Sequence, residues 1–305
     1  MSPAGPGPAA GRLPPLDLLA ALTVVTLWGL NFVAAKIALA ALPPFLVTSI
    51  RFIAVGLLLA PVFRPRRDQL PALAAVAMVL GIGHFGLLFL ALKNLDAGSA
   101  AVTIQLGVPF SVLLAWVVFR DRPGGRRLAG IALAFSGVAV LAGDPGRPNL
   151  GPLLVVVLSI SLWAVANILV KRLGAISPLV LNGWVSLLAA PVMVALSLTF
   201  EHGQAASMAA AGWRPWAGVA FTILFSSIVA YSLWYRLLGR HAVSRVVPFT
   251  LLGPVVGFLG GVLVLGEAVT VYKVVGGLLT VAGVAVIELL PGPSPVAAGE
   301  PEPAA

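Results

Sequence analysis

A stretch of ten residues that occurs twice decides the fold of this chain: LWGLNFVAAK at 27–36 and LWAVANILVK at 162–171. Both copies begin with Leu-Trp, carry an asparagine near the middle and end on lysine. Farther along, GVAVL at 137–141 recurs as GVAVI at 283–287, and a glycine precedes each of these runs by seven residues. Membrane chains built from two matched halves commonly bind a solute between the halves and move one half against the other. The repeat therefore bears on function as well as on fold.

The sequence around the repeat is typical of a membrane protein. Of its 305 residues, 60% are hydrophobic and only 10% are charged, and a soluble domain could not keep so much apolar surface out of water. The apolar stretches are about twenty residues long, which lets each cross the hydrocarbon core as a helix. Strands of a membrane barrel would instead alternate apolar and polar residues. We therefore predict an all-α integral membrane protein.

Ten apolar stretches are predicted to span the membrane: 16–41, 44–62, 70–92, 99–119, 127–142, 151–170, 178–200, 216–238, 246–265 and 272–290. Because each half holds an odd number of spans, the second half begins on the opposite side of the membrane. The predicted fold is thus ten transmembrane helices arranged as two inverted five-helix repeats. The repeats cover 16–142 and 151–290, joined by a linker at 143–150, and the polar tails at 1–15 and 291–305 are predicted to be disordered.

Positively charged loops orient the predicted spans. If the N-terminus lies in the cytoplasm, 13 Lys and Arg residues fall on the cytoplasmic side and 5 on the outer side, with Arg51 left inside a span. Since cytoplasmic loops carry the excess of Lys and Arg, both termini are predicted to be cytoplasmic, in a bacterial inner membrane. These loops also explain the net charge of +9, so no nucleic-acid partner is predicted.

The residues required for soluble-enzyme chemistry are missing. Cysteine is absent, which excludes thiol catalysis, disulfides and thiolate metal sites. The sequence also lacks a phosphate-binding loop, a metal-ligand spacing and a clustered pair of carboxylates. We therefore predict a protein that is not an enzyme and uses neither cofactor nor metal. Its expected partners are a small-molecule substrate and membrane lipid, and monomer and homodimer both stay open.

Three ionisable side chains in predicted spans are candidate functional groups, because charge within the hydrocarbon core is costly. Arg51 either extends toward the interface or faces a translocation cavity, where a substrate carboxylate or phosphate would bind its guanidinium bidentately. Lys36 lies nearer the end of its span, so snorkelling competes with substrate binding as its role. His84 is either a neutral histidine bonded to a neighbouring helix or a group for proton coupling.

Uncharged polar and aromatic residues complete the predicted substrate site. Amides within spans either bond a neighbouring helix or line a cavity, and tryptophans far from the span ends fit a cavity wall or a helix contact. These candidates are Trp28, Asn31, Gln105, Trp163 and Asn167.

Proline and glycine mark the fourth and ninth spans. Pro109 and Pro254 each remove a backbone hydrogen bond at nearly matched positions, and broken helices are tolerated where they line a cavity. Gly253 and Gly257 belong to a stripe at four-residue spacing, which permits either close helix packing or gating.

Short motifs along the chain match a known pattern. They are WGLNFV at 28–33 with Lys36, Pro43-Pro44, Arg51-Phe52, Gln105, LAGIALA at 128–134, Trp163-Ala164 with Asn167 and Lys171, YSLWYRLLGR at 231–240, Val247-Pro248, LLGPVVG at 251–257 and LGE at 265–267. From 16 to 290 the chain resembles the EamA family of the drug/metabolite transporter superfamily, and it is most similar to the bacterial exporters of cysteine and O-acetylserine. The resemblance implies ten spans in two inverted repeats, a pathway lined mainly by the first four helices of each half, and export of small metabolites without ATP.

The predicted function is secondary active transport, with export of amino acids or related small metabolites across the inner membrane by alternating access. Two alternatives stay open. One is transport of nucleotide sugars or lipid-linked sugars by the same fold. The other is a membrane-embedded enzyme, which would require converging acids, histidines or a metal site that the sequence does not supply.

Overall fold

The computed structural model describes residues 13–120, 122–145, 150–174, 176–241 and 243–289. Within these ranges the chain forms helices with short connections and no β-strand, which confirms the all-α prediction. Most of the two predicted tails, part of the predicted linker (146–149) and the last residue of the final predicted span (290) lie outside the described residues.

The principal helices are labelled α1 to α10 in chain order. They are α1 (Pro15–Leu39), α2 (Pro44–Leu59), α3 (Arg67–Leu92), α4 (Ala97–Phe119), α5 (Gly125–Ala142), α6 (Gly151–Leu173), α7 (Pro178–Phe200), α8 (Trp213–Arg240), α9 (Val247–Leu265) and α10 (Val271–Leu289). Short helices precede α8 (Gln204–Ala210) and α9 (Val243–Val246).

In the described part of the chain, nine helices are long and apolar enough to cross a membrane, and α2 is shorter. With 16 residues, α2 extends about 24 Å, less than the ~30 Å hydrocarbon core. The predicted span at 44–62 was therefore too long. Pro61 has no N–H to continue the helix, and the backbone turns back at Leu59, whose carbonyl accepts from both Val62 and Phe63.

Contacts between the two halves come in matched pairs. Extensive contacts join α5 to α10 and α2 to α7. In addition, α1 packs against α8 and α9, while α6 packs against α3 and α4. The two halves correspond helix by helix, α1 to α6 through α5 to α10. Under this correspondence, the contact of α1 with α8 matches that of α6 with α3, and the contact of α1 with α9 matches that of α6 with α4. The pairs α5–α10 and α2–α7 each join a helix to its own counterpart.

The repeated glycines explain why α5 and α10 approach so closely. A Cβ atom at Gly130 would lie 2.8 Å from the carbonyl oxygen of Gly283, and one at Gly276 would lie 2.6 Å from that of Gly137. The reverse contacts, from Gly137 and Gly283, are equally close. Small residues are what allow membrane helices to pack backbone against backbone, so the glycines that recur in sequence meet in space.

Local distortions of helix geometry also occur in matched positions. A π-helical segment interrupts α3 at Ala77–Gly86 and α8 at Thr222–Ala230. A 3₁₀ segment lies in α4 at Ile104–Leu106 and in α9 at Val247–Leu252. Such segments mark functional sites in many helical proteins, and each of these four contributes residues to the central cavity.

Candidate functional site

A cavity of about 550 Å³ lies within the helix bundle. The first-half helices line it mainly with residues from their middle portions, such as 25–32 of α1, whereas α6 to α10 line it with residues nearer one end, such as 247–254 of α9. The cavity therefore extends from the middle toward the end of the bundle where α6, α8 and α10 terminate. We call this the cavity end, and we call the opposite end, where α2 and α4 begin, the sealed end.

Arg51 of α2 contributes a guanidinium to this cavity, although only 4% of the residue is exposed. Its Nε donates to Ser227 Oγ at 3.0 Å, and Ser227 Oγ in turn donates to the carbonyl of Thr222 in the π segment of α8. The guanidinium carbon lies 4.7 Å from the centre of the Phe85 ring, whose π face attracts a cation. Arg51 Nη1 is buried with no hydrogen-bond partner among the described residues. A guanidinium fixed in this way, with a donor left over, suits an anionic ligand.

His84, in the π segment of α3, joins that helix to α6. Its Nδ1 lies 3.0 Å from the carbonyl oxygen of Ser159 and donates to it in the Nδ1–H tautomer. The Ser159 hydroxyl donates back to the His84 carbonyl at 2.8 Å. This reciprocal pair fits the interpretation of a buried histidine bonded to a neighbouring helix, and proton coupling through His84 stays a prediction.

Aromatic rings line two sides of the cavity. The Trp28 ring centre lies 5.2 Å from the ring centres of both Tyr231 and Trp234, so α1 and α8 meet through aromatic contacts. On α6, the Trp163 ring packs where Gly107 has no side chain, since a Cβ there would lie 2.9 Å from ring atoms. These rings give the cavity flat apolar surfaces beside its polar groups.

Buried polar atoms without partners concentrate in this cavity. Six such side-chain atoms occur in the described ranges, and four belong to cavity-lining residues: Trp28 Nε1, Asn31 Oδ1, Arg51 Nη1 and Glu288 Oε2. Native proteins leave few buried polar groups unsatisfied, because each costs about 1–3 kcal/mol. Two donors and two acceptors are thus available for a polar ligand or for water.

Nine of the twelve site residues predicted from sequence line the cavity: Trp28, Asn31, Arg51, His84, Gln105, Trp163, Asn167, Gly253 and Pro254. Lys36, Pro109 and Gly257 do not. Lys36 lies beyond the cavity-lining part of α1, toward the sealed end, and its Nζ donates to the Lys93 carbonyl at 3.4 Å. Pro109 is buried just after the 3₁₀ segment of α4, and Gly257 packs against Ala101.

The sequence predictions missed three kinds of residue, two that line the cavity and one that holds cavity-lining side chains without lining the cavity itself. Ser159 and Ser227, which hold His84 and Arg51, are small hydroxyl residues that give no signal in an apolar span. Tyr231 and Trp234 entered only as part of a longer motif. Glu288 had a usable signal, because it is a carboxylate inside the last predicted span, and it lines the cavity from a fifth helix of its half.

Two carboxylates close the sealed end. Glu201, just after α7, accepts two backbone N–H groups in the first turn of α2, at 2.7 and 3.0 Å. Glu267, just after α9, accepts two in the first turn of α4, at 2.6 and 3.1 Å. Each carboxylate satisfies donors that a helix start leaves free, and its charge lies at the positive end of the helix dipole. Both contacts join the second half to the first.

Helix packing shows the same difference between the ends. At the sealed end Lys273 of α10 pairs with Asp96 at 2.8 Å, and Gly98 of α4 packs directly on Phe258 of α9. Farther along, the part of α4 at Gly107–Phe119 packs against α6, without comparable packing on α9 in the described ranges. The helices α4 and α9 therefore meet at the sealed end and separate toward the cavity end.

Comparison with known proteins identifies relatives of the whole arrangement. The model of the EamA-like transporter family matches residues 16–143 and 150–289. Two relatives are named "Probable amino-acid metabolite efflux pump". That of Salmonella typhimurium (strain LT2) is 33% identical over 280 residues, covering 88% of this chain and 93% of the relative. That of Escherichia coli (strain K12) is 32% identical over 282 residues, with the same coverage. A solved crystal structure superposes with a TM-score of 0.61 at 21% identity, covering 92% of this chain and 98% of that one, which shows the likeness of fold.

Proposed function

The chain belongs to the EamA-like transporter family, and from that membership we propose that it exports amino acids or related small metabolites across the inner membrane by alternating access. Membership makes it a multi-span membrane transporter and points away from an enzyme. The class of substrate follows the names of the two efflux-pump relatives. The cavity supplies an independent argument for the same class.

The observation that carries this proposal is the unpartnered Nη1 of Arg51. Taking a guanidinium out of water is costly unless its donors are satisfied. Among the described residues, Arg51 bonds Ser227 and makes cation–π contacts with Phe85 and Phe89, and none of these contacts neutralises its charge. A substrate carboxylate would supply both an acceptor and the opposite charge. Amide and indole groups from Asn31, Gln105 and Trp28 would then orient the rest of the solute.

Two features support inverted repeats and alternating access. The contacts of α1 with α8 and α9 in the other half are equivalent to those of α6 with α3 and α4, with α1 corresponding to α6 and so on to α5 and α10. The π and 3₁₀ segments likewise occur at corresponding helices, and Gly253 and Pro254 lie where the 3₁₀ segment of α9 meets its α-helical part. In this proposal the two halves rock about the glycine contact of α5 with α10, and the helix breaks near Pro109 and Pro254 absorb the movement.

The loop charges assign the cavity end to the cytoplasm. Under the predicted orientation, α6, α8 and α10 end on the cytoplasmic side, where most Lys and Arg residues lie. The conformation is then one that receives substrate from the cell interior, with the sealed end toward the outside. An exporter without bound substrate is expected to adopt such a conformation, with its cavity open to the cytoplasm.

Coupling to protons requires a titratable group in the cavity. From the sequence, His84 is a candidate for this role, with a neutral histidine bonded to a neighbouring helix as the alternative, and the coupling role stays a prediction. Glu288 is a second candidate from the structure, because its Oε2 has no hydrogen-bond partner among the described residues. The response of flux to a pH gradient in variants at the two positions distinguishes these assignments.

Flux in proteoliposomes tests the proposed function. The wild-type protein is expected to exchange labelled amino acids, and Arg51→Ala is expected to slow that exchange about 100-fold, because a hydrogen bond to a charged group contributes about 1.5–3 kcal/mol. Arg51→Lys keeps the charge and is expected to recover part of the rate. Arg67→Ala, at an exposed arginine outside the cavity, is the matched control. Wild-type exchange that Arg51→Ala leaves unchanged would contradict the carboxylate role, and no exchange of any amino-acid metabolite would contradict the function.

A further inference from the structure

A second pocket, of about 330 Å³, lies between α4, α5 and α6. It is lined by Val108, Ser111, Val112, Ala115, Arg127 and Trp163. The four residues from α4 are spaced by three and four positions, so they form one face of that helix. Val108 and Trp163 also line the central cavity and form the wall between the two spaces. The pocket is therefore adjacent to the transport site and distinct from it.

The two remaining unpartnered polar atoms of the described chain belong to this pocket. They are Ser111 Oγ and Arg127 Nε, both buried without a hydrogen-bond partner in the described ranges. Glu288, on the helix that packs along α5, lines the central cavity and forms no ion pair with Arg127 among the contacts of the described residues. A hydroxyl and a guanidinium N–H in one small pocket are the donors that a phosphate oxygen requires.

Positive charge surrounds the same region. The exposed residues Arg120, Arg122 and Arg126 lie between the end of α4 and the start of α5, and the exposed Lys171 lies at the end of α6. Lys171 Nζ is 4.4 Å from the centre of the Phe119 ring, which brings the ends of α6 and α4 together on this side. By the loop-charge rule this side faces the cytoplasm. Basic pockets between transmembrane helices on that side bind anionic lipid headgroups.

Apolar surface continues from the pocket along α4. Trp116 is 39% exposed and Val117 is 75% exposed, although both lie within a helix that crosses the membrane. Such side chains contact lipid acyl chains rather than water. A ligand that combines an anionic headgroup with an acyl chain matches both the donors in the pocket and the surface beside it.

We propose that this pocket binds an anionic phospholipid of the cytoplasmic leaflet. The phosphate accepts from Ser111 Oγ and Arg127 Nε, the acyl chain lies along the apolar face of α4, and the surrounding arginines favour a net negative headgroup. A lipid held here would contact Val108 and Trp163 and so would stabilise one wall of the transport cavity. This site depends on the fold and charges of the chain and does not depend on which metabolite is transported.

Native mass spectrometry of the purified protein tests this site with phosphatidylglycerol and phosphatidylcholine of identical chains. We expect phosphatidylglycerol to bind about tenfold more tightly. Arg127→Gln and Ser111→Ala are each expected to lower its affinity by about tenfold, the effect of losing one charge-assisted hydrogen bond. Arg67→Gln, which removes an exposed charge on the same predicted side, is expected to change little and is the matched control.

Three results would overturn the proposal. The first is equal binding of the two lipids by the wild-type protein. The second is unchanged phosphatidylglycerol binding by both Arg127→Gln and Ser111→Ala, with melting temperatures in phosphatidylcholine that match the wild type. The third is displacement of phosphatidylglycerol by millimolar inorganic phosphate, which would mean that the pocket takes a free anion.

Discussion

The two ends of the helix bundle differ in how their polar groups are satisfied. At the sealed end, Glu201 and Glu267 each bind two backbone N–H groups, and Lys273 pairs with Asp96. In the central cavity, four buried polar atoms have no partner in the described ranges. Because unsatisfied buried groups are costly, the difference indicates that the sealed end is stabilised within the protein, whereas the cavity requires a ligand or water.

Apolar packing strengthens this contrast. Leu42, Val47, Leu92 and Ala100 at the sealed end are essentially inaccessible to solvent. At the cavity end, by contrast, polar contacts join helices that also pack against each other, such as α1 and α8. An example is the bond of 2.8 Å between Asp17 of α1 and His241 after α8. Contacts between α4 and α9 therefore distinguish the two ends, and Glu267 is the polar group that links these helices.

The largest effect is expected from removing that link. Glu267→Ala leaves two N–H groups of α4 without acceptors, so we expect the free energy of unfolding in mixed micelles to fall by about 3 kcal/mol. Glu267→Gln keeps one acceptor and is expected to lose about half as much. Asp68→Ala removes a carboxylate from an exposed pair with Arg66 and is expected to change stability by less than about 1 kcal/mol. Equal losses for Glu267→Ala and Asp68→Ala would mean that the sealed end is not held by its carboxylates.

An intermediate effect is expected from two titratable groups in the cavity. His84→Gln removes the imidazole Nδ1 that bonds the Ser159 carbonyl, so we expect stability to fall by about 1–3 kcal/mol. Glu288→Gln removes a carboxylate whose Oε2 has no hydrogen-bond partner among the described residues, so stability is expected to stay the same or to rise. We expect Glu288→Gln to retain substrate exchange but to lose the response of flux to a pH gradient. Loss of that response in His84→Gln alone, with Glu288→Gln like the wild type, would assign the coupling to His84.

The smallest effect is expected at Lys36, for which the sequence leaves snorkelling and substrate binding open and which lies outside the cavity in the structure. Its contact with the Lys93 carbonyl is long and exposed, and surface substitutions of this kind usually change stability by less than about 0.5 kcal/mol. We expect Lys36→Ala to exchange substrate at nearly the wild-type rate in the assay that shows the loss in Arg51→Ala. A loss of exchange rate as large as that of Arg51→Ala would indicate that Lys36 takes part in substrate binding.

Much of the fold could be predicted from the sequence because hydrophobic length and repetition are strong signals. The glycines of the GVAV repeats at 137–141 and 283–287 indicated matched halves, and they meet in the contact of α5 with α10. The end of α2 was harder to predict, since the apolar run continues past Leu59 and only Pro61 signals a stop. The π segments have no composition of their own, because their hydrogen-bond pattern depends on packing against neighbouring helices.

The candidate site was partly predictable for a similar reason. Arg51, Asn31 and Asn167 stand out in apolar spans, and all three line the cavity. The sequence could not show that Arg51 is held by a serine 176 residues away. Lys36 lies outside the cavity in this structure, and sequence alone does not tell how far along α1 the cavity extends. The LGE motif at 265–267 likewise gives no sign that Glu267 caps a helix of the other half of the chain.

Cysteine accessibility tests the difference between the ends most directly, because the natural chain contains no cysteine. Thr250→Cys places one thiol in the cavity, and Ala100→Cys places one at the sealed end, where Ala100 is fully buried. In vesicles of known orientation, we expect a membrane-impermeant maleimide to label Thr250→Cys from the cytoplasmic side, more slowly when substrate is present. Ala100→Cys is expected to resist labelling from both sides unless Glu267→Ala is added. Equal labelling of the two thiols, or labelling of Thr250→Cys only from the outer side, would contradict this account.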